Sequence, residues 1–290
     1  MSREIALLTN PTAGKGRGRR ARDAAVTRLR STGIAVRTLE GGSPDQALAL
    51  AQQQVAAGVD ALVVCGGDGM VNIGAQAVAG TEIPLGIIPA GTGNDVARYF
   101  DLPLKDAATA AERVIAGEVR TIDLARSLDR YYVTVMAAGF DAVVNERANR
   151  MTWPRGQMRY NLATLAELRT FKPLPYILEL DGNVVHTEAM LVAIGNGPSF
   201  GGGLRITEGA VLDDGFLDVV VTKPVGKLEL VRTYPKLFKG THTTHPQYEH
   251  HRVRRITVAA PGIVGYADGE RFGPLPMTIE CVPRAMKVLA

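Results

Sequence analysis

The sequence predicts a three-layer, doubly wound α/β half followed by a β-sandwich. Three observations carry that reading. Through Leu124, short β-branched apolar runs alternate with Ala-rich helical segments, the rhythm of parallel α/β folds. Two of these runs end in glycine turns that hold acids, Gly66-Gly67-Asp68-Gly69 and Gly91-Thr92-Gly93-Asn94-Asp95. From about Ala125 the chain becomes strand-rich, divided by turns such as Asp181-Gly182-Asn183 and Asp213-Asp214-Gly215, which suits packed sheets. The expected domains are therefore 1–124, α/β, and 125–282, β-sandwich.

Taken in order, Ile5–Thr9 is a short strand and Asn10 to Gly18 a glycine-rich loop, leading to a helix that ends near Ser31. Ile34–Leu39 is the next strand. Ser43-Pro44-Asp45-Gln46 starts a helix, with Ser43 as N-cap, Pro44 at the first helical position and Gln46 closing a capping box. Ala-rich sequence carries it to Ala57. Ala61–Val64 is short, apolar and β-branched, as a buried parallel strand is, and helix resumes at about Met70. Leu85–Ile88 is a second buried strand, Ala107–Ala116 a helix and Val119–Leu124 a strand. In the second half, strands are expected over Tyr131–Met136, Tyr176–Leu180, Val184–Ile194, Phe216–Val221, Arg254–Ala259 and Thr278–Val282. His250 and His251 read as polar residues ahead of a strand. His242 and His245 are spaced like ligands but lack a nearby acid or Cys to complete a metal set.

Composition narrows the function classes. With 46% hydrophobic and 21% charged residues the chain is ordinary globular protein, and a net charge of +4 does not argue for nucleic acid. Cys65 and Cys281 give neither a disulfide framework nor metal spacing. No run approaches the roughly 20 apolar residues that span a bilayer, and the N-terminus has no apolar leader. A cytoplasmic location is expected.

The chemistry concentrates in the glycine turns. Three glycines in four positions let the backbone turn tightly and let another group approach it. Strand, turn and helix start direct N–H groups at an anion. Asp68 belongs beside phosphates if a divalent cation lies between them; a tight turn with Asp68 as a helix cap is the plain alternative. Loops at the carboxyl ends of successive strands converge, so Asp68, Asp95 and the Thr92 hydroxyl are expected at one crevice. Gly14-Lys15-Gly16-Arg17-Gly18 lacks the Gly-Lys-Ser/Thr ending of a Walker loop. Glu40, at a strand end, could hold a ribose as in a dehydrogenase, but the glycine spacing does not match.

In the second half, Gly195-Asn196-Gly197 followed by Gly201-Gly202-Gly203 marks either close backbone approach or a mobile loop. Asp268 and Glu270 flank a glycine turn, as a general base or as a plain hairpin tip. The segment Arg147 to Tyr160 interleaves Arg147, Arg150, Arg155 and Arg159 with Met151, Trp153 and Tyr160. It suits an anionic membrane surface or, equally, a solvated helix face. Lys236, Phe238 and Lys239 are a weaker version.

Asn10-Pro11-Thr12-Ala13-Gly14-Lys15, Gly66-Gly67-Asp68-Gly69 and Gly91-Thr92-Gly93-Asn94-Asp95, in that order, resemble the signature of the diacylglycerol kinase catalytic domain. That family includes soluble bacterial lipid kinases, eukaryotic diacylglycerol kinases, sphingosine kinases and ceramide kinases. The resemblance covers essentially the whole chain and is nearest the bacterial diacylglycerol kinases. It implies a Rossmann-like nucleotide domain of the NAD kinase/diacylglycerol kinase type, a lipid-selecting β-sandwich, and a tail over 283–290 that returns to the first domain. It implies ATP contacts at Asn10, Pro11, Thr12, Ala13, Gly14, Thr38, Gly66, Gly67, Asp68, Gly69, Met70, Val71, Asn72, Thr92 and Asp95. It also implies Mg²⁺ held by Asp214 and the carbonyls of Val211 and Phe216, linked through water to Asp68 and Asp95. Asp268 and Glu270 jointly match the family's proposed base. Met70 and Ile73 depart from the family's Thr and Glu, and Glu208 stands where a proline is common.

The function this implies is an ATP- and Mg²⁺-dependent lipid kinase, converting diacylglycerol to phosphatidic acid while visiting a membrane peripherally. A kinase for a sphingoid base or monoacylglycerol, NAD kinase and a non-catalytic nucleotide-binding regulator are the alternatives. A homodimer remains open.

Overall fold

The structure is a computed structural model. It describes residues 3–9, 17–140 and 172–290, with 144, 147, 150–154, 159, 162, 163 and 166 between them. The chain divides into two compact units, Met1–Leu124 with Val282–Ala290, and Ala125–Cys281.

In the first unit the strands β1 (Glu4–Thr9), β2 (Ala35–Glu40), β3 (Ala61–Gly66) and β4 (Leu85–Pro89) pair in parallel, in the order β2-β1-β3-β4. The helices are α1 (Arg17–Ser31), α2 (Pro44–Ala56), α3 (Asp68–Val78), α4 (Asp95–Tyr99) and α5 (Ala107–Ala116). Ala25 and Leu29 of α1 join Ala110, Ala111 and Val114 of α5 over Ile5, Leu7, Val63 and Ile88. On the other face α3 lies so close to the sheet that a Cβ on Gly74 would meet Leu85 Cδ1 at 2.6 Å and Val64 Cγ1 at 2.9 Å. Covered on both faces, β3 and β4 are buried at every residue, which is why they read as unbroken apolar runs rather than as alternation. The strand order reverses between β1 and β3, so the crevice of this sheet lies at their carboxyl ends, where the β3–α3 turn sits.

Local signals set the helix starts. Ser43 accepts from the Gln46 amide at 3.2 Å, while the Gln46 carboxamide accepts from Gly42 N at 2.7 Å, one residue before the N–H that a regular capping box uses. Asp106 caps α5 by accepting from the Ala108 and Thr109 amides. Helix α3 starts at Asp68, two residues before the expected position, because Gly67 already serves as its N-cap.

The second unit holds β6 (Arg130–Tyr132), β7 (Val135–Gly139), β8 (Leu174–Leu180), β9 (Asn183–Ala189), β10 (Leu191–Gly195), β11 (Leu217–Thr222), β12 (Tyr248–Val253), β13 (Arg255–Ala259), β14 (Val264–Ala267) and β15 (Glu270–Pro274), with helix α6 (Lys227–Leu237). β5 (Val119–Ser127) enters it and β16 (Met277–Leu289) leaves it. One sheet runs β12-β11-β10-β7-β14-β15. Facing it, β13 pairs with β8 and with the start of β16, and β8 with β9. Tyr176, Leu178 and Leu180 of β8, Val192 and Ile194 of β10, Leu217, Val219 and Val221 of β11 and Ile256 and Val258 of β13 fill the space between them. The sandwich follows from that period of two: Val220, between two inward residues of β11, joins a separate outer cluster with Ala137, Ala193 and Ile206.

Four sequence expectations change. Val184–Ile194 is two strands in different sheets, broken at Met190, since β9 closes a hairpin on β8 and β10 pairs with β7 and β11. Tyr131–Met136 likewise splits into β6 and β7. His250 and His251 lie inside β12 rather than before a strand, and helix α6 interrupts what read as strands alone. β16 continues past Val282, and its end pairs with β4 through Val288 and Leu289 in the first unit.

Candidate active site

In the first unit the two glycine turns are built as one piece. Gly67 and Gly91 pack backbone to backbone: a Cβ on Gly91 would sit 2.4 Å from Gly67 Cα and 2.8 Å from Asn94 Oδ1. Ala90 N donates to Gly66 O at 2.8 Å. Asn94, in a left-handed conformation with φ 55, closes its own turn by accepting from Gly91 N at 3.1 Å and donating to Gly91 O at 3.0 Å. Asp68 bridges the turns, its two carboxylate oxygens accepting from Asn94 N at 2.8 Å and Asp95 N at 2.7 Å. It thus caps the neighbouring helix α4 rather than its own. Asp95 is 3% exposed beneath it. Arg98 ties the far end of the loop by donating to Gly93 O at 2.9 Å.

This predicts a sharp steric effect. Gly91→Ala forces the two turns apart and should cost about 1–3 kcal/mol, the usual penalty for overpacking. Denaturant unfolding checks it, and an unchanged midpoint would mean that the turns are not in the contact described.

The other expected nucleotide residues divide. Asn10, Pro11, Thr12, Ala13 and Gly14 lie outside the described residues. Gly69 follows Asp68 in the first turn of α3. Thr92 is exposed at the rim and Thr38 is exposed on β2. The amides of Met70 and Val71 both return to Gly67 O, at 2.9 and 3.1 Å, so they are spent inside the turn. The Met70 side chain is buried over Gly66, whose Cβ would meet Met70 Cγ at 2.4 Å. Where the family carries a hydroxyl, this chain therefore carries an apolar plug. Asn72 is half-buried and accepts from Gln76 at 3.4 Å. Glu40 is ion-paired to Arg22, which gives it a structural partner in place of a ribose. Burial pushes the Cys65 thiol up to about 12, leaving it inert.

In the second unit, Asp268 and Glu270 bracket the β14–β15 hairpin, with Asp268 at φ 50 and Gly269 at φ 83 in a two-residue turn. Their environments differ. Asp268 is buried and accepts from Val133 N at 2.9 Å, Thr134 N at 2.9 Å and Thr134 Oγ1 at 2.6 Å. The same stretch is held from behind by Asn196, whose carboxamide donates to Val133 O and whose amide, with that of Gly197, donates to Thr134 O. Thr207 Oγ1 donates to Gly197 O at 2.8 Å. Close backbone approach is thus what the Gly195-Asn196-Gly197 stretch provides. Glu270 reaches the surface, yet the protein crowding around it raises its pKa through desolvation; Arg130 pulls it down and Asp268 pushes it up. Arg130 is itself fixed, donating to Phe272 O at 2.6 Å with its guanidinium 4.6 Å from the Phe272 ring. The buried polar side chains Thr134, Asn196 and Thr207, gathered on the Val133 backbone, have no sequence signal beyond the glycines around Asn196.

The Asp-Asp-Gly loop is held differently from the metal site that the resemblance implies. Asp214 Oδ1 accepts from Phe216 N at 3.1 Å, and Oδ2 meets Arg252 Nη2 at 2.5 Å. The Arg252 guanidinium lies 4.6 Å from the Phe216 ring and that of Arg254 5.3 Å from it. Val211 is exposed. With a guanidinium on its carboxylate, Asp214 does not fit a resident Mg²⁺ alongside the Val211 and Phe216 carbonyls. Next to it, burial raises the pKa of Asp218, which His250 Nε2 meets at 2.6 Å.

Elsewhere, His242 is buried with Nε2 3.3 Å from Ile206 O, and His245 pairs with Glu229, so the two serve different neighbours. Glu208 is ion-paired to Arg205. Of the basic segment, Arg147 and Arg150 are exposed, Arg159 donates to Pro154 O and Trp153 is 76% exposed; Arg155 lies outside the described residues. No helix among the described residues is long and apolar enough to cross a membrane.

An α/β unit with fused glycine–acid turns, joined to a β-sandwich, defines a two-domain kinase class, and comparison with known proteins places the chain within it. Residues 4–127 match the family model described as the diacylglycerol kinase catalytic domain, and residues 134–290 match the YegS C-terminal NAD kinase beta sandwich-like domain. A diacylglycerol kinase of Mycobacterium tuberculosis is 44% identical over 99% of this chain and 94% of its own length. One of Staphylococcus aureus is 27% identical over 100% and 93%. A crystal structure of a diacylglycerol kinase from Bacillus anthracis superposes with a TM-score of 0.80 at 26% identity, over 99% of this chain and 96% of that one. The chain belongs to the diacylglycerol kinase family.

Proposed function

We propose that this kinase transfers the γ-phosphoryl group of MgATP to the free hydroxyl of diacylglycerol, giving phosphatidic acid and ADP. The observation that carries the reading is the fused pair of glycine turns, with Asp68 bracing the start of α4 at the carboxyl end of β4. Phosphoryl transfer asks little covalent chemistry of a protein: it needs rigid positioning and compensation of phosphate charge, which preorganised turns at strand ends provide. In the reaction, the lipid oxygen bonds to the γ-phosphorus while the bond from that phosphorus to the β–γ bridging oxygen breaks. The hydroxyl proton passes to Glu270. Asp268, holding the backbone of Val133 and Thr134, fixes the hairpin on which Glu270 sits. Asp95 and Thr92, on the second glycine turn, would serve the phosphates. Mg²⁺ arrives with ATP as part of the substrate and neutralises its charge.

Diacylglycerol is insoluble in water, so the enzyme works by visiting an anionic bilayer reversibly. Exposed Trp153, in the same stretch of sequence as Arg147, Arg150 and Arg159, supports that contact. The test is transfer of labelled phosphate from ATP to diacylglycerol, monoacylglycerol, a sphingoid base and NAD, with lipids in anionic vesicles. Labelled phosphatidic acid as the main product is expected. Preferential labelling of another acceptor would reassign the substrate, and no labelling of any would return the chain to a nucleotide-binding regulator.

A further inference from the structure

We propose that Arg252 is the resident cation of the Asp213-Asp214-Gly215 loop, so that this chain holds Asp214 without a bound metal ion. The inference stands on the loop itself and is independent of the lipid substrate. Three contacts converge on one guanidinium: the Asp214 carboxylate at 2.5 Å, the Phe216 ring at 4.6 Å and, through Nε, the buried Asp218 carboxylate at 4.0 Å. Register fixes it there, since Arg252 lies directly opposite Asp218 in the β11–β12 ladder. Arg254 approaches the same ring from two residues along the chain.

A divalent ion on Asp214 and the Phe216 carbonyl would have to displace the first guanidinium and then lie near the second. Mg²⁺ parts with its water reluctantly and favours carboxylate oxygens in octahedral array. One carboxylate already in use is a poor inducement. A guanidinium stays charged at any working pH, is more weakly hydrated than an ammonium ion and stacks on aromatic faces. It can neutralise Asp214 and pin Phe216 at once, which fastens the loop to β12.

The experiment uses the full chain without nucleotide. Thermal unfolding midpoints are compared in EDTA and in MgCl₂ at matched ionic strength, and bound Mn²⁺ is counted by electron paramagnetic resonance. Wild type should show no Mg²⁺-specific shift and no Mn²⁺ that Asp214→Asn removes. Arg252→Gln should melt lower in EDTA and regain stability saturably with Mg²⁺, a gain lost in the Arg252→Gln/Asp214→Asn double variant. Two results would overturn the proposal: Mn²⁺ on wild type that Asp214→Asn abolishes, or an Arg252→Gln protein that folds yet never responds to Mg²⁺. If Arg252→Gln does not fold, the Mn²⁺ count on wild type against Asp214→Asn decides the matter alone.

Discussion

Asp68→Ala is expected to lower lipid phosphorylation by at least about 100-fold while leaving a folded protein. The Asp68 carboxylate accepts from two amides of the second glycine turn, those of Asn94 and Asp95. Removing it leaves both without a carboxylate at the start of a five-residue helix too short to hold itself. Each unsatisfied donor costs about 1–3 kcal/mol when buried, less here because half-buried Asp68 leaves room for water. The larger effect is positional, since a displacement near 1 Å at a reacting centre can cost about 10²-fold. Asp68→Asn separates bracing from charge: its single carbonyl can keep only one of the two amides, so its unfolding midpoint should fall between wild type and Asp68→Ala. Turnover of Asp68→Ala near the wild-type rate would remove Asp68 from the machinery.

Glu270→Gln should retain ATP binding and lose turnover by about 10²–10⁴-fold, the usual range for a missing general base. The pH profile carries a second signature. A base must be ionised to act, and desolvation raises the Glu270 pKa, so the acid limb of kcat should lie above the ordinary carboxylate range. Arg130 opposes that shift, so Arg130→Gln should move the limb higher still. If instead Asp268 were the base, Asp268→Asn would erase the limb and Glu270→Gln would keep it. Loss of ATP binding in Glu270→Gln would point to a structural role for the hairpin.

The sequence makes the first unit legible because its signals are local. Buried parallel strands read as apolar runs, Ser43 announces a helix start, and the glycine turns stand at strand ends. What it hides is what those turns do to each other. That Asp68 would cap the helix of the next loop depends on the side-by-side pairing of β3 and β4 and on Gly67 meeting Gly91, neither visible along one stretch. The second unit is less legible. Short strands such as β14 and β15 carry glycines and prolines that mask their pattern, and β9 runs into β10 without a turn signal. The anchoring of Asp268 comes from Val133 and Thr134, more than a hundred residues away in sequence.

β16 bears on how the protein is made. Its last residues pair with β4, yet the ribosome delivers Val282–Ala290 only after all of the second unit has emerged. Until then β4, buried along its whole length in the finished fold, is an apolar outer strand with one row of amides and carbonyls unmatched. The nascent first unit must wait in that state while some 160 residues are synthesised, roughly 8–30 s at about 5–20 residues per second. Throughout that interval its open side is a template for any other extended chain, so the final strand acts as a late seal against misassembly as well as a piece of the sheet.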